Sequence, residues 1–326
     1  MAANSPARLK RLKSRIAAQK RGKGSRSFGI EPPRLVEVAY FKSLEVIVRK
    51  LQEQTEAKLF PMLEKVESDY ITDGVASAKN SLNGVVNQLE AAPVVLEQTQ
   101  ERIAARMANS VEVFNRGQFI RDINEVAGVS LQGVITKEGV AGDINKSIKT
   151  NVELIGKVST KYHERLRKII DDGLNKGNDA FSLRKQIHEL GGVTERHARF
   201  IARDQVAKLN AAVTQARQTR VGITHYFWRT SRDERVRKSH RKKEGNRYAW
   251  NDPPSDTGNP GEDYQCRCSA EPDLSGFLKG QGRPQPRRGR RKIVPRVVRS
   301  AVRKATVGAL ARRIQQRRQV AQQGGR

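Results

Sequence analysis

The residues of this chain best suited to chemistry are His240, Cys266 and Cys268, all within 29 positions. Two soft thiolates at i and i+2 beside an imidazole form a donor set that suits zinc, which prefers tetrahedral sulfur and nitrogen ligands. The pattern lacks a fourth ligand, and Asp263, Asp252 or water would have to fill it. A Cys-x-Cys pair is badly placed to bridge with itself. Two readings therefore stand: a metal, or two reduced thiols packed under a loop beside a surface histidine. A metal held by three protein ligands would leave an open position, which catalytic sites use. Asp233, Arg235 and His240 pose a similar choice. They could form a hydrolytic site on a phosphodiester with His240 as general base. They could equally be an internally satisfied ion-pair network pinning a turn under Trp228, which is the preferred reading. The enzymatic alternative is a metal-dependent nuclease or toxin-like hydrolase built on Asp233, His240, Cys266 and Cys268. The other histidines, His163, His188, His197 and His225, lie singly and point to no site.

These residues need elements to position them. Ile155, Val158, Tyr162, Leu166 and Ile169 recur at helical spacing from Asn151, closed by Gly173 and Gly177. A short helix is expected over Ser182–Leu190, ended by Gly191-Gly192. Thr194 is then the expected N-cap of a long helix that stops at Gly222. Ile223–Trp228 is rich in β-branched and aromatic residues and reads as a strand. Arg247–Trp250 reads as a second short strand. Residues 251–264 read as a loop. A third strand is expected through Cys266, Arg267, Cys268 and Ala270, where a period of two would put both thiols on one face. Upstream, Val38, Phe41, Leu44, Val48 and Leu51 form one apolar stripe of a helix that fades near Val66. Further helices are expected over about 75–91 and from Pro93 to about Phe114. Long helices with few aromatics suit packing against other helices, so the stripe is a candidate partner face. Its alternative is to fold back on the helices at 75–114.

Charge divides the chain differently. The formal net charge is +29. Residues 1–33 hold nine Lys/Arg and one Glu, and residues 275–326 hold sixteen Lys/Arg and no acid. Blocks of like charge resist collapse and serve as interaction arms. A polyanion is their natural partner, since each neutralised phosphate releases a condensed counterion. Arg287, Arg288, Arg290, Arg291, Lys292, Arg312, Arg313, Arg317 and Arg318 are the expected contacts to double-stranded DNA, bound without sequence preference. Two cysteines exclude a disulfide scaffold and fit a reducing compartment. No stretch approaches the roughly 18 apolar residues of a membrane span, and the basic start is followed by no apolar core of a secretory signal.

Taken together, the motifs resemble a known family. Tyr162, Gly177, the Ile-Ala-Arg-Asp run Ile201–Asp204, the Trp-x-Thr-Ser-x-Asp-x-Arg-Val-Arg-x-x-His run Trp228–His240 (read with Lys238-Ser239 before the His), Gly245 and the Cys-Arg-Cys run Cys266–Cys268 resemble the phage Mu F-like head-morphogenesis or minor capsid proteins. The resemblance covers about 150–273. Its signature falls on Asp233, Arg235, His240, Gly245, Cys266, Arg267 and Cys268. The chain departs from some members, which carry a second Cys pair where Arg237 and His240 stand and a His where Asp263 stands. The resemblance implies a tailed-phage virion protein that joins the procapsid near the portal and stays with packaged DNA. It implies no enzyme activity.

The expected architecture is mostly α with a small α+β domain. It comprises a basic arm at 1–33, an extended helical region at 34–150, an α+β domain at 151–273 and a basic tail at 274–326. The expected partners are a portal protein, double-stranded DNA and a major capsid or scaffold protein, with no membrane. The expected place is the capsid interior, reached from the host cytoplasm during assembly, with genome delivery a further role. Zinc is the candidate cofactor, beside the reading of two packed thiols.

Overall fold

Long helices carry most of the chain in the computed structural model, which describes residues 13–14 and 33–275 except 128–130 and 133. Helix α1 runs Arg34–Ala91 and is interrupted at Gly74, whose φ is +78°. Helix α2 spans Glu97–Ala127 and continues past Gly117 and the expected stop at Phe114. A single 3-10 turn, Glu138–Val140, leads into α3, Ala141–Asn175. Helix α4, Ala180–Arg220, follows. Strand β1 (His225–Arg229), helix α5 (Lys238–Arg241), β2 (Arg247–Ala249) and β3 (Ser269–Pro272) complete the order. The strands form one antiparallel sheet in the order β2-β1-β3, with Tyr226 opposite both Tyr248 and Pro272. The protein is thus mostly α with a small α+β part. The candidate DNA contacts from Arg287 to Arg318 lie outside the described residues.

Two local expectations fail for one reason. Gly191-Gly192 does not end a helix; α4 passes straight through it. The cap is Asp179, whose carboxylate accepts from the Ser182 amide at 2.8 Å. Thr194 instead donates to the Leu190 carbonyl one turn back. A Cβ on Gly191 would lie 2.1 Å from Gln52 Oε1, so the glycine lets α1 approach α4 closely. The residue type that signals a break is here used for contact.

The core is shared by all four long helices. Leu44 and Leu51 of α1, Val111 of α2, Tyr162 and Leu166 of α3, and Ile187 and Val206 of α4 are buried in one cluster. This settles the apolar stripe. Phe41, Leu44, Val48 and Leu51 are buried within the chain's own core, and only Val38 stays half-exposed at 49%. The stripe is therefore intramolecular and is not a free partner face. Its cluster also holds residues of the 75–114 stretch, among them Leu82 and Met107, together with residues of α3 and α4. The boundary expected at 150/151 falls inside α3.

A buried polar layer ties α2 to α4. The Arg217 guanidinium donates to Glu112 Oε1 at 2.7 Å, with both side chains nearly inaccessible (1% and 2%). Asn115 donates to Asn210 Oδ1 at 2.9 Å and to Thr214 Oγ1 at 2.7 Å. Burial pulls the Arg217 pKa down to about 10, against the opposing pull of Glu112. Removing one partner leaves a buried charge unmatched. Glu112→Ala is expected to lower the unfolding free energy by about 3–5 kcal/mol in urea denaturation. Glu53→Ala, which breaks an exposed pair with Arg49, serves as control. Equal losses in the two variants would overturn the assignment.

Candidate metal centre

His240, Cys266 and Cys268 converge, although they come from two separate segments. His240 sits on α5, whose single turn is set by Arg241 and Lys242 amides donating back to Arg237 and Lys238. Trp228 of β1 packs edge-on against the imidazole with ring centroids 5.5 Å apart. The two cysteines lie just before β3 rather than in it. Gln265 ahead of them has φ +54°, and the Cys268 amide donates to Cys266 Sγ at 3.4 Å. A turn, not strand alternation, therefore brings both thiols to one side. That corrects the expected third strand.

His240 Nδ1 is 3.4 Å from Cys268 Sγ and 3.6 Å from Cys266 Sγ. Tetrahedral zinc with arms of roughly 2.0 Å to nitrogen and 2.3 Å to sulfur would place such atoms about 3.5 Å apart. The other ring nitrogen, Nε2, is 2.9 Å from Asp263 Oδ2. With Nε2–H donating to the carboxylate, Nδ1 turns its lone pair toward the sulfurs. Asp263 is thus the partner that orients the histidine and is not a ligand on the sulfur side. Arg237 in turn holds Asp263 and the Tyr264 carbonyl. All three donor residues are buried, and their ligand atoms lie within 4.8 Å of one another; they are the one such group among the described residues. The donor set and its orienting carboxylate fit zinc.

The electrostatics support ready ionisation of one thiol. The hydrogen bond from Cys268 holds the Cys266 thiol down to about 5 against its burial, with His240 and the Gly261 and Cys268 amides assisting. The same hydrogen bond, together with burial, pushes Cys268 up. His240 is raised, first by its bond to Cys266 and then, against burial, by Asp263. Gly261 contributes more than its amide, which lies 3.3 Å from Cys266 Sγ. Its φ is +92°, and a Cβ would come within 2.3 Å of Ala211 Cβ on α4. Only glycine lets this loop close onto the helix there.

The proposed Asp233–His240 partnership does not form. Asp233 Oδ1 accepts from Arg267 at 2.7 Å and from the Arg235 amide at 3.1 Å, pinning the turn after β1. The structural reading of that motif holds in kind, with Arg267 as the partner. Asp252 pairs through its backbone with Ala249 and is exposed. Sequence reasoning missed the role of Ile201–Asp204. Asp204 Oδ1 accepts the Gln265 amide at 2.9 Å, and the Phe200 carbonyl accepts the Gln265 side chain at 2.9 Å. These bonds fasten the strained residue before Cys266 to α4. The singled-out Ile-Ala-Arg-Asp run was the available signal.

Residues 164–271 match the model of a family described as Phage Mu protein F like protein. The matched segment runs from the second half of α3 to β3 and contains every residue of the Cys/His centre. A relative from Haemophilus influenzae, described as "Uncharacterized protein", is 33% identical over 217 residues, covering 66% of this chain. The chain spans 43% of that relative's length. No solved structure matches.

Proposed function

We infer that this chain, a Mu F-like phage protein by residues 164–271, is a structural component of a tailed-phage head that binds at the portal and contacts packaged DNA. The observation that carries this reading is that the family match spans α4, the sheet and the Cys/His centre as one unit. The role in head morphogenesis follows from the family. Portal binding, DNA contact and a place inside the capsid are the finer reading, with participation in genome delivery. A major capsid or scaffold protein is the second expected neighbour. No helix among the described residues is long and apolar enough to cross a membrane. The nuclease alternative required Asp233 beside His240, and Asp233 is engaged by Arg267 instead.

Zinc at His240, Cys266 and Cys268 belongs to this reading. When bound, it supplies a rigid cross-link between α5 and the segment entering β3. The chain's own residues prepare for it: Asp263 orients the imidazole, and Gly261 and Cys268 amides favour the Cys266 thiolate.

Portal contact must use surface that the core leaves free. Leu35 (86% exposed), Val38 and Val46 lie along one side of α1 and remain accessible. The test is co-expression of the full chain with the portal protein of the same phage. Co-elution is expected, and Leu35→Asp with Val46→Asp should abolish it while leaving the helical signal unchanged. Separate elution of the unaltered proteins would overturn the portal reading. Phe41 and Leu44 are unsuitable test positions, because charge there would open the core.

A further inference from the structure

The cavity beside the Cys/His centre is walled by arginines and by no acid. Arg203, Arg235, Arg237 and Arg267 line it together with His240 and both cysteines, and its volume is about 150 Å³. No Asp or Glu is among its lining residues. The carboxylates that balance the wall stand behind it. Glu37 holds Arg203 at 3.1 Å, Asp233 holds Arg267 at 2.7 Å, and Asp263 holds Arg237. These pairs fix the guanidinium planes, so their remaining N–H groups are arranged before any ligand arrives. Arg235 makes no ion pair with any described residue. It leaves the wall one uncompensated positive charge.

The floor of the cavity is the donor set itself. His240 Nδ1 and the two sulfurs supply three of the four positions of a tetrahedral ion, and among the described residues no fourth His, Cys or carboxylate reaches the group. A zinc ion with two thiolates and a neutral imidazole carries no net charge, so it does not repel an anion. The ligand that suits both floor and wall has one oxygen for the metal and others for the arginines. A carboxylate would have one oxygen left for the wall, whereas a phosphate would have three.

We propose that this cavity binds a phosphate-type oxyanion, one oxygen completing the metal's coordination while the arginine wall holds the rest. The proposal rests on the zinc reading above. It assigns Arg203, Arg235, Arg237 and Arg267 a ligand that head assembly by itself does not require.

The experiment uses the full chain loaded with cobalt(II) in place of zinc. Its visible absorption is recorded as inorganic phosphate, acetate or chloride is titrated in at constant ionic strength. Phosphate is expected to shift the spectrum saturably, acetate more weakly, and chloride not at all. Arg235→Ala should bind the same cobalt per chain but take phosphate about tenfold more weakly, the loss of one charge-assisted hydrogen bond. Bound cobalt whose spectrum ignores both oxyanions would overturn this proposal alone. Acetate binding as tightly as phosphate would overturn the choice of phosphate. A chain that takes up no cobalt would overturn the zinc reading and this one with it.

Discussion

Deleting residues 275–326 is expected to remove most of the affinity for double-stranded DNA. The tail carries sixteen Lys and Arg and no acidic residue, whereas residues 34–274 contribute little to the net charge of +29. Attraction to phosphate is therefore concentrated in the tail, with a smaller share in the arm at 1–33. Binding through about 6–10 phosphates should fall roughly 10³–10⁵-fold between 50 and 200 mM salt, because each contact releases a counterion. The slope of affinity against salt, measured for the intact and truncated chains, separates the arms. Equal low-salt affinity for both proteins would show that the tail is not the DNA-binding element. Equal affinity across unrelated DNA sequences is also expected, since attraction between Lys/Arg and phosphates carries no sequence information.

The second large effect is expected at the metal centre. Protein purified without chelator should contain about one zinc per chain, and Cys266→Ser with Cys268→Ser should bring this below roughly 0.2. The consequence should be local. The helical core excludes the sheet, whose own cluster is built from Tyr226, Trp228, Trp250, the two cysteines and Ala270. Loss of the ion should therefore speed amide exchange in β1, β3 and the 251–264 loop while α1 to α4 keep their protection. Less than about 0.2 zinc in the unaltered protein would leave the thiols as packing residues of that cluster.

The relation between sequence and site is instructive at particular residues. The donors were legible because thiol and imidazole chemistry belongs to the residue, whatever surrounds it. The β1 strand and the stop at Gly222 were legible because propensity and backbone freedom act locally. Asp263 was not assignable as the orienting partner, since it could equally have been a ligand. The choice depends on which ring nitrogen faces the sulfurs, and packing against Trp228 helps fix the ring. Gly191-Gly192 was misread because a glycine that ends a helix and one that admits a neighbouring helix look the same in one dimension. The Arg217–Glu112 pair was invisible for a related reason. Its partners are 105 residues apart, and an Arg near the end of a helix carries no local mark of burial.

The amino-acid sequence by itself determined the charge arms, the candidate metal donors, the predominance of helix and the resemblance that residues 164–271 bear out. Each of these depends on composition or on short-range order along the chain. Tertiary structure alone decided that the Phe41–Leu51 stripe faces inward, that Asp233 serves Arg267 rather than His240, and that four arginines surround one cavity. The physical reason is that burial and charge pairing are properties of neighbours in space. Those neighbours are set by how α1 and α4 pack and by where the loop at Gly261 closes onto α4, and no local pattern encodes either.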